Sequence, residues 1–150
     1  MRINTPLNRV VQTAQGRISL IWNPDLASVW NERYARAQKY VDSEVIRLCG
    51  PYVPFETGTL QRSALIATTI GSGEVIWNAP YAKYLYYGNL MVSPTTGSSW
   101  AKKGERKVLT GRSLNYNGAP KRGKLWFERM KADHKQDILN GARRIVGGGQ

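Results

Sequence analysis

Apolar residues recur along this chain with two different periods. Leu26, Trp30, Tyr34, Ala37, Val41, Val45 and Leu48 advance by threes and fours, which draws one stripe along a long helix. Asn23-Pro24-Asp25 supplies its start: Asn23 as a cap, Pro24 at the first helical position, and Asp25 at the positive end of the helix dipole. Gly50-Pro51 ends it. Arg33, Arg36, Lys39 and Asp42 fall off the stripe and are expected in solvent. A second stripe, Phe127, Met130, His134, Ile138, Ala142 and Ile145, predicts a helix over Trp126–Val146, followed by a frayed tail over 147–150. His134 on that stripe reads as an interior histidine rather than a ligand or base.

Elsewhere the period is two. Arg17 to Trp22 places Ile18, Leu20 and Trp22 on one face, which predicts a strand; Val10-Val11 is its expected partner across Ala14-Gln15-Gly16. Ala64–Ile70 and Glu74–Asn78 are rich in Ile, Val, Thr and Trp and flank Gly71-Ser72-Gly73, so a central hairpin is expected there. Before it, Phe55–Leu60 reads as a turn and a short helical start, with Thr57 or Thr59 as cap. After it, Pro80 opens a short helical segment that stops at Gly88. These elements add up to an α+β fold in one domain over 1–150. A small twisted antiparallel sheet packs against one long helix, followed by a C-terminal helix.

Residues 89–124 fit neither period. They are rich in Gly, Ser, Thr and Asn and are expected to form a long basic loop, with Arg106–Thr110 as a short strand. The formal charge of +12 is concentrated here: residues 89–150 hold 13 Lys and Arg against 4 Asp and Glu, whereas residues 1–88 hold 9 against 6. Lys102, Lys103, Arg106, Lys107, Arg112, Lys121, Arg122 and Lys124 carry the loop's charge, with a single acid, Glu105, among them. Such a field suits polyanions or an acidic partner; the bland reading is a solvated loop that confers solubility. Tyr81, Tyr84, Tyr86 and Tyr87, with Trp100 and Tyr116, are candidates for a protein–protein contact. The competing reading is a core edge with hydroxyls at the surface.

The residues that would carry chemistry are sparse. One cysteine, Cys49, and one histidine, His134, fall short of a zinc site. A lone cysteine forms no internal disulfide and fits a reducing compartment. There is no phosphate-binding Gly-rich motif, and no carboxylates are paired for a two-metal nuclease. The chain is therefore expected to be no enzyme and to use no cofactor or metal. No apolar run suits a membrane span or a signal peptide.

Four blocks resemble a family of small bacteriophage proteins, the minor capsid proteins of phages of Gram-positive bacteria, related to head–tail joining and tail-completion proteins. They are Pro51-Tyr-Val-Pro-Phe-Glu-Thr-Gly-Thr-Leu60, Pro80-Tyr-Ala-Lys-Tyr-Leu-Tyr-Tyr-Gly-Asn-Leu-Met-Val92, Thr110-Gly-Arg-Ser-Leu-Asn-Tyr116 and Trp126-Phe-Glu-Arg-Met-Lys131. They follow the family's order and cover most of the chain from Pro51 on. The resemblance implies a structural virion protein, made in the host cytoplasm, that forms a ring, commonly of six, at the head–tail neck. Implied partners are other copies of itself, a portal-side head-completion protein, the major tail tube protein, and viral DNA that passes without sequence recognition. A tail terminator and a head stopper are both compatible with the family. A free, non-sequence-specific nucleic-acid-binding module is the alternative from another class, with Trp100 or Tyr116 stacking on bases.

Overall fold

A computed structural model describes residues 2–147. The first expected helix forms as α1, Leu26–Cys49, and the last as α4, Trp126–Val146. They pack on each other in antiparallel fashion. Arg33 Nη1 near the start of α1 donates to the Val146 carbonyl at 3.3 Å. Tyr40 lies against Gly141 at mid-length. Just past α1, the Tyr52 hydroxyl donates to Asp133 Oδ2 at 2.5 Å. Gly141 is buried within α4, and a Cβ there would collide with the Tyr40 ring and hydroxyl. The crossing needs the absence of a side chain at this position, not unusual backbone angles.

Around this pair the core collects Cys49, Tyr52, Val53, Leu60, Ala82, Trp126, Met130 and Ile138. Trp126 is 2% exposed and meets Trp77 and Tyr86 edge to face, with centroids 5.9 and 4.7 Å away. Its Nε1 is the one buried side-chain polar atom without a partner among the described residues. Burial of large side chains of this kind contributes about 1.5–3 kcal/mol each. Leu125, just before α4, holds a left-handed conformation at φ 51. Its N–H donates to the Tyr86 carbonyl at 2.8 Å and its carbonyl accepts from Arg129, which ties the start of α4 to the rest of the core.

The α+β class holds, but the sheet is divided. β1, Arg9–Thr13, pairs antiparallel with β2, Gly16–Leu20, in the expected N-terminal hairpin. β3, Asn89–Val92, pairs antiparallel with β4, Val108–Ser113, inside the stretch expected to be mostly loop. The two sheets are separate, and it is α4, not a sheet, that packs along α1.

The central hairpin expected at Ala64–Asn78 does not form. Its first half is the end of α2, Thr59–Ala67. Leu60 and Ala64, one helical turn apart, are both buried, so tertiary burial selects the helix for an apolar run that local pattern leaves ambiguous. Neither Thr57 nor Thr59 caps α2; their hydroxyls bond each other at 2.8 Å, and Gly58 at φ 76 makes the entry. The turn at 71–73 does form, and Glu74–Ala79 runs on without a strand partner among the described residues.

Asp42 corrects the expectation of a solvated residue. It is 2% exposed, and its carboxylate accepts from the amides of Gly71 at 2.7 Å and Gly73 at 3.1 Å and from Gln38 Nε2 at 2.7 Å. Three donors offset the cost of burying the group. Asn23 is not the cap of α1: the helix starts at Leu26, Asp25 holds the cap position without a side-chain cap bond, Pro24 precedes the helix, and Asn23 Oδ1 accepts from the Asp25 amide at 2.9 Å in the turn that leads in. The short aromatic helix is α3, Ala82–Tyr87, closed by Gly88 at φ 74. Of the expected tail, Gly147 is the residue after α4, and residues 148–150 lie outside the described residues.

Candidate functional site

β3 and β4 form an arm, and residues 93–107 make its tip. Register shifts between Asn89 and Met91, so that Thr110, Gly111 and Arg112 bulge from β4. Gly111 takes φ 71 there, and the Thr110 hydroxyl donates to the Leu90 carbonyl at 3.0 Å. A bulge of this kind bends the strand and re-aims its side chains.

The tip is tied into a defined shape by the acid that stands alone among the cations. Glu105 Oε1 accepts from Ser93 Oγ at 2.6 Å and Thr95 Oγ1 at 2.7 Å, and Oε2 accepts from the Lys102 amide at 2.9 Å. Ser93 is buried, and its backbone N–H and carbonyl bond Ser98 and Gly97. The Ser93 hydroxyl, then that of Thr95, then the Lys102 amide hold the Glu105 carboxyl down to about 2. Glu105 is therefore engaged by neutral donors. Lys102, Lys103, Arg106, Lys107 and Arg112 are exposed and form no ion pair among the described residues. Trp100, 85% exposed, stands among them.

The remaining expected cations sit elsewhere. Arg122 is half-buried and donates from Nη1 to the carbonyls of Gly50 at 3.1 Å and Val53 at 2.6 Å, with its guanidinium 5.3 Å from the Phe55 ring centre. Its bonds close the end of α1 against the segment before α4. Lys121 lies over the Tyr52 ring at 5.7 Å, and the Lys124 stem covers Gly88. The eight basic positions thus divide into a set of five on the arm and a set of three against the body.

A family model described as minor capsid protein matches residues 26–144. The chain belongs to the minor capsid protein family. Membership makes it a structural phage protein and a virion component. The matched span runs from the start of α1 nearly to the end of α4 and includes the whole arm. Comparison with individual curated proteins gives no match, and neither does comparison with solved structures.

In this minor capsid protein the expected aromatic contacts also divide. Tyr84 and Tyr87 on α3, and Tyr81 just before it, are exposed. Tyr86 turns inward on Trp126, and the Tyr116 hydroxyl donates to the Leu85 carbonyl at 2.5 Å. His134 is half-buried, with Nε2 3.3 Å from the Tyr52 hydroxyl and Nδ1 3.4 Å from Asp137. Burial pushes the Cys49 thiol up to about 12, so it stays protonated and unreactive at neutral pH. Among the described residues no cluster of His, Cys, Asp and Glu could hold a metal ion, and no helix is long and apolar enough to cross a membrane.

Glu105 and Asp42 were missed as organising residues by the sequence reading. A lone acid in a run of cations is the signal for the first. For the second it is an acid beside a helix stripe followed by a Gly-x-Gly turn that offers free amides.

Proposed function

We propose that this minor capsid protein is a ring subunit of the head–tail neck of a tailed phage, acting in tail completion or head–tail joining without catalysis. The arm is its working surface: five cations turn toward the DNA-carrying lumen or toward an acidic adjoining ring. The observation that carries this reading is the fixed tip, in which Glu105 orders the loop while the neighbouring cations have no carboxylate partner among the described residues. Cations presented in this way meet phosphates without reading bases, which suits a wall past which DNA of any sequence must slide.

Deletion of the gene followed by imaging of the particles tests it. DNA-filled heads beside separate tails are the expected result, and tails of uncontrolled length would assign the terminator role. Emptied heads would assign a head stopper instead. Complete, infectious virions would overturn the neck reading. Replacement of Lys102, Lys103, Arg106 and Lys107 by Gln is expected to lower infectivity while leaving the fold intact; unchanged particles would reduce these residues to a solubilising surface.

The exposed Trp100 among unpaired cations also fits a free nucleic-acid-binding module, in which the indole stacks on a base. Binding of a single-stranded oligonucleotide by the isolated protein, weakening steeply with added salt, would favour that reading.

A further inference from the structure

The return half of the central hairpin that fails to form is left in an unusual state. Glu74–Ala79 alternates as a strand does: Val75, Trp77 and Ala79 are half-buried while Glu74, Ile76 and Asn78 are exposed. The N–H groups of Val75, Trp77 and Asn78, and the carbonyls from Val75 to Asn78, find no partner among the described residues. An extended segment with open donors and acceptors is a template for another strand. Beside it lies an apolar groove of about 580 Å³ whose walls include Val41, Val45, Val75, Trp77 and Phe127.

The complementary piece is present in the same molecule but elsewhere. Every residue of β1 and β2 is exposed. Their register places Val11 opposite Ile18 and Arg9 opposite Leu20, so Val11, Ile18 and Leu20 share one face, with Arg9 at its edge, and Arg17 lies on the other. Ile18 is 69% exposed there. A two-stranded hairpin with a bare apolar face is marginal by itself and gains stability when that face is covered.

We infer that the β1–β2 hairpin of one copy docks beside Glu74–Asn78 of a second copy and lays Val11, Ile18 and Leu20 over the groove. This deepens the ring reading above and rests on it. The occupant is a second copy because its hairpin matches the vacancy in three respects. It supplies strand edges for the open backbone groups and apolar side chains for the groove. It also carries Arg17 on its reverse face, the side on which Glu74 is exposed in the extended segment, and has no acid before Asp25. Lys83 is the one cation lining the groove. In its own chain the segment before the hairpin is held at the start of α1, where Ile3 and Asn31 exchange two hydrogen bonds. Donor and acceptor surfaces differ, so each copy engages two neighbours and the contact propagates around a ring.

The test uses an isotopically labelled Ile18→Cys chain mixed with an unlabelled Val75→Cys chain, Val75 being on the groove side of the extended segment, assembled together and oxidised. The expected product is a disulfide between labelled and unlabelled chains, at least five-fold more abundant than either like pair. Adding Val11→Asp to the labelled chain is expected to cut that product at least five-fold while leaving the melting temperature unchanged, since Val11 lies outside the core. Like pairs in excess, or no crosslink, would overturn the docking. In a chain carrying both cysteines, an internal link within monomers would also overturn it. A neck phenotype on gene deletion with this crosslink absent would leave a ring built on other surfaces, so the two readings fail separately.

Discussion

Trp126 and Trp100 place the same side chain in opposite surroundings. Trp126 lies beneath Trp77 and Tyr86 at the start of α4, where packing fixes it. Trp100 stands in solvent on the arm, where hydrogen bonds through Ser93 and Glu105 hold the backbone while the ring contributes nothing to a core. The body is ordered by burial and the arm by a polar tie. A surface kept for a partner must expose what the partner will cover, so its shape has to come from bonds that survive exposure. That is the lesson of the Glu105 tie, and it explains how a loop with so few buried side chains can still present cations in a set arrangement.

The difference can be broken most sharply in the body. Trp126→Ala is expected to cost about 3–5 kcal/mol in a denaturant titration, whereas Trp100→Ala should change stability by less than about 0.5 kcal/mol. Similar losses for the two would mean that the arm is part of the core after all. Gly141→Ala comes next: the added methyl meets Tyr40 and should cost about 1–3 kcal/mol. Tyr40→Ala in the same chain should return part of that loss, read as coupling in a double-mutant cycle.

Asp42→Ala tests the hinge between the two kinds of order, because a side chain of α1 holds a surface turn. The amides of Gly71 and Gly73 lose their acceptor, with an expected cost of about 1–3 kcal/mol and faster hydrogen exchange at both glycines. The smallest effect is expected at the arm. The Glu105 carboxyl is lower in the folded chain than in the unfolded one, so its contribution is complete above the ordinary carboxylate value of 4.5 and is lost as pH falls toward about 2. Protection of the Lys102 amide should fade over that window while the helices persist. Glu105→Gln should produce the same local loosening at neutral pH.

How much of this was legible in the sequence depends on what each residue's neighbours in space contribute. Both long helices were readable, the start of α1 to within two residues, because a repeating apolar stripe sets the period along each of them. The β1–β2 hairpin was readable because it is wholly local. Ala64–Ile70 was not, since Ala, Leu and Ile fit either a helix or a strand until Leu60 and Ala64 find the core. Arg122 looked like one more cation of the basic loop; only the fold brings the carbonyls of Gly50 and Val53 within its reach.

By itself, then, the sequence determined the two long helices, the α+β class, the N-terminal hairpin, and the concentration of positive charge after residue 88. These follow from periodicity, backbone chemistry and charge, which are properties of neighbours along the chain. The tertiary structure alone decided that α4 rather than a sheet covers α1, that Asp42 goes inward, and that Glu74–Asn78 is left extended and unpaired. It also divided the basic residues between the arm and the body. Each of those outcomes turns on groups far apart in sequence competing for the same buried space or the same hydrogen bond, and no local pattern records which of them wins.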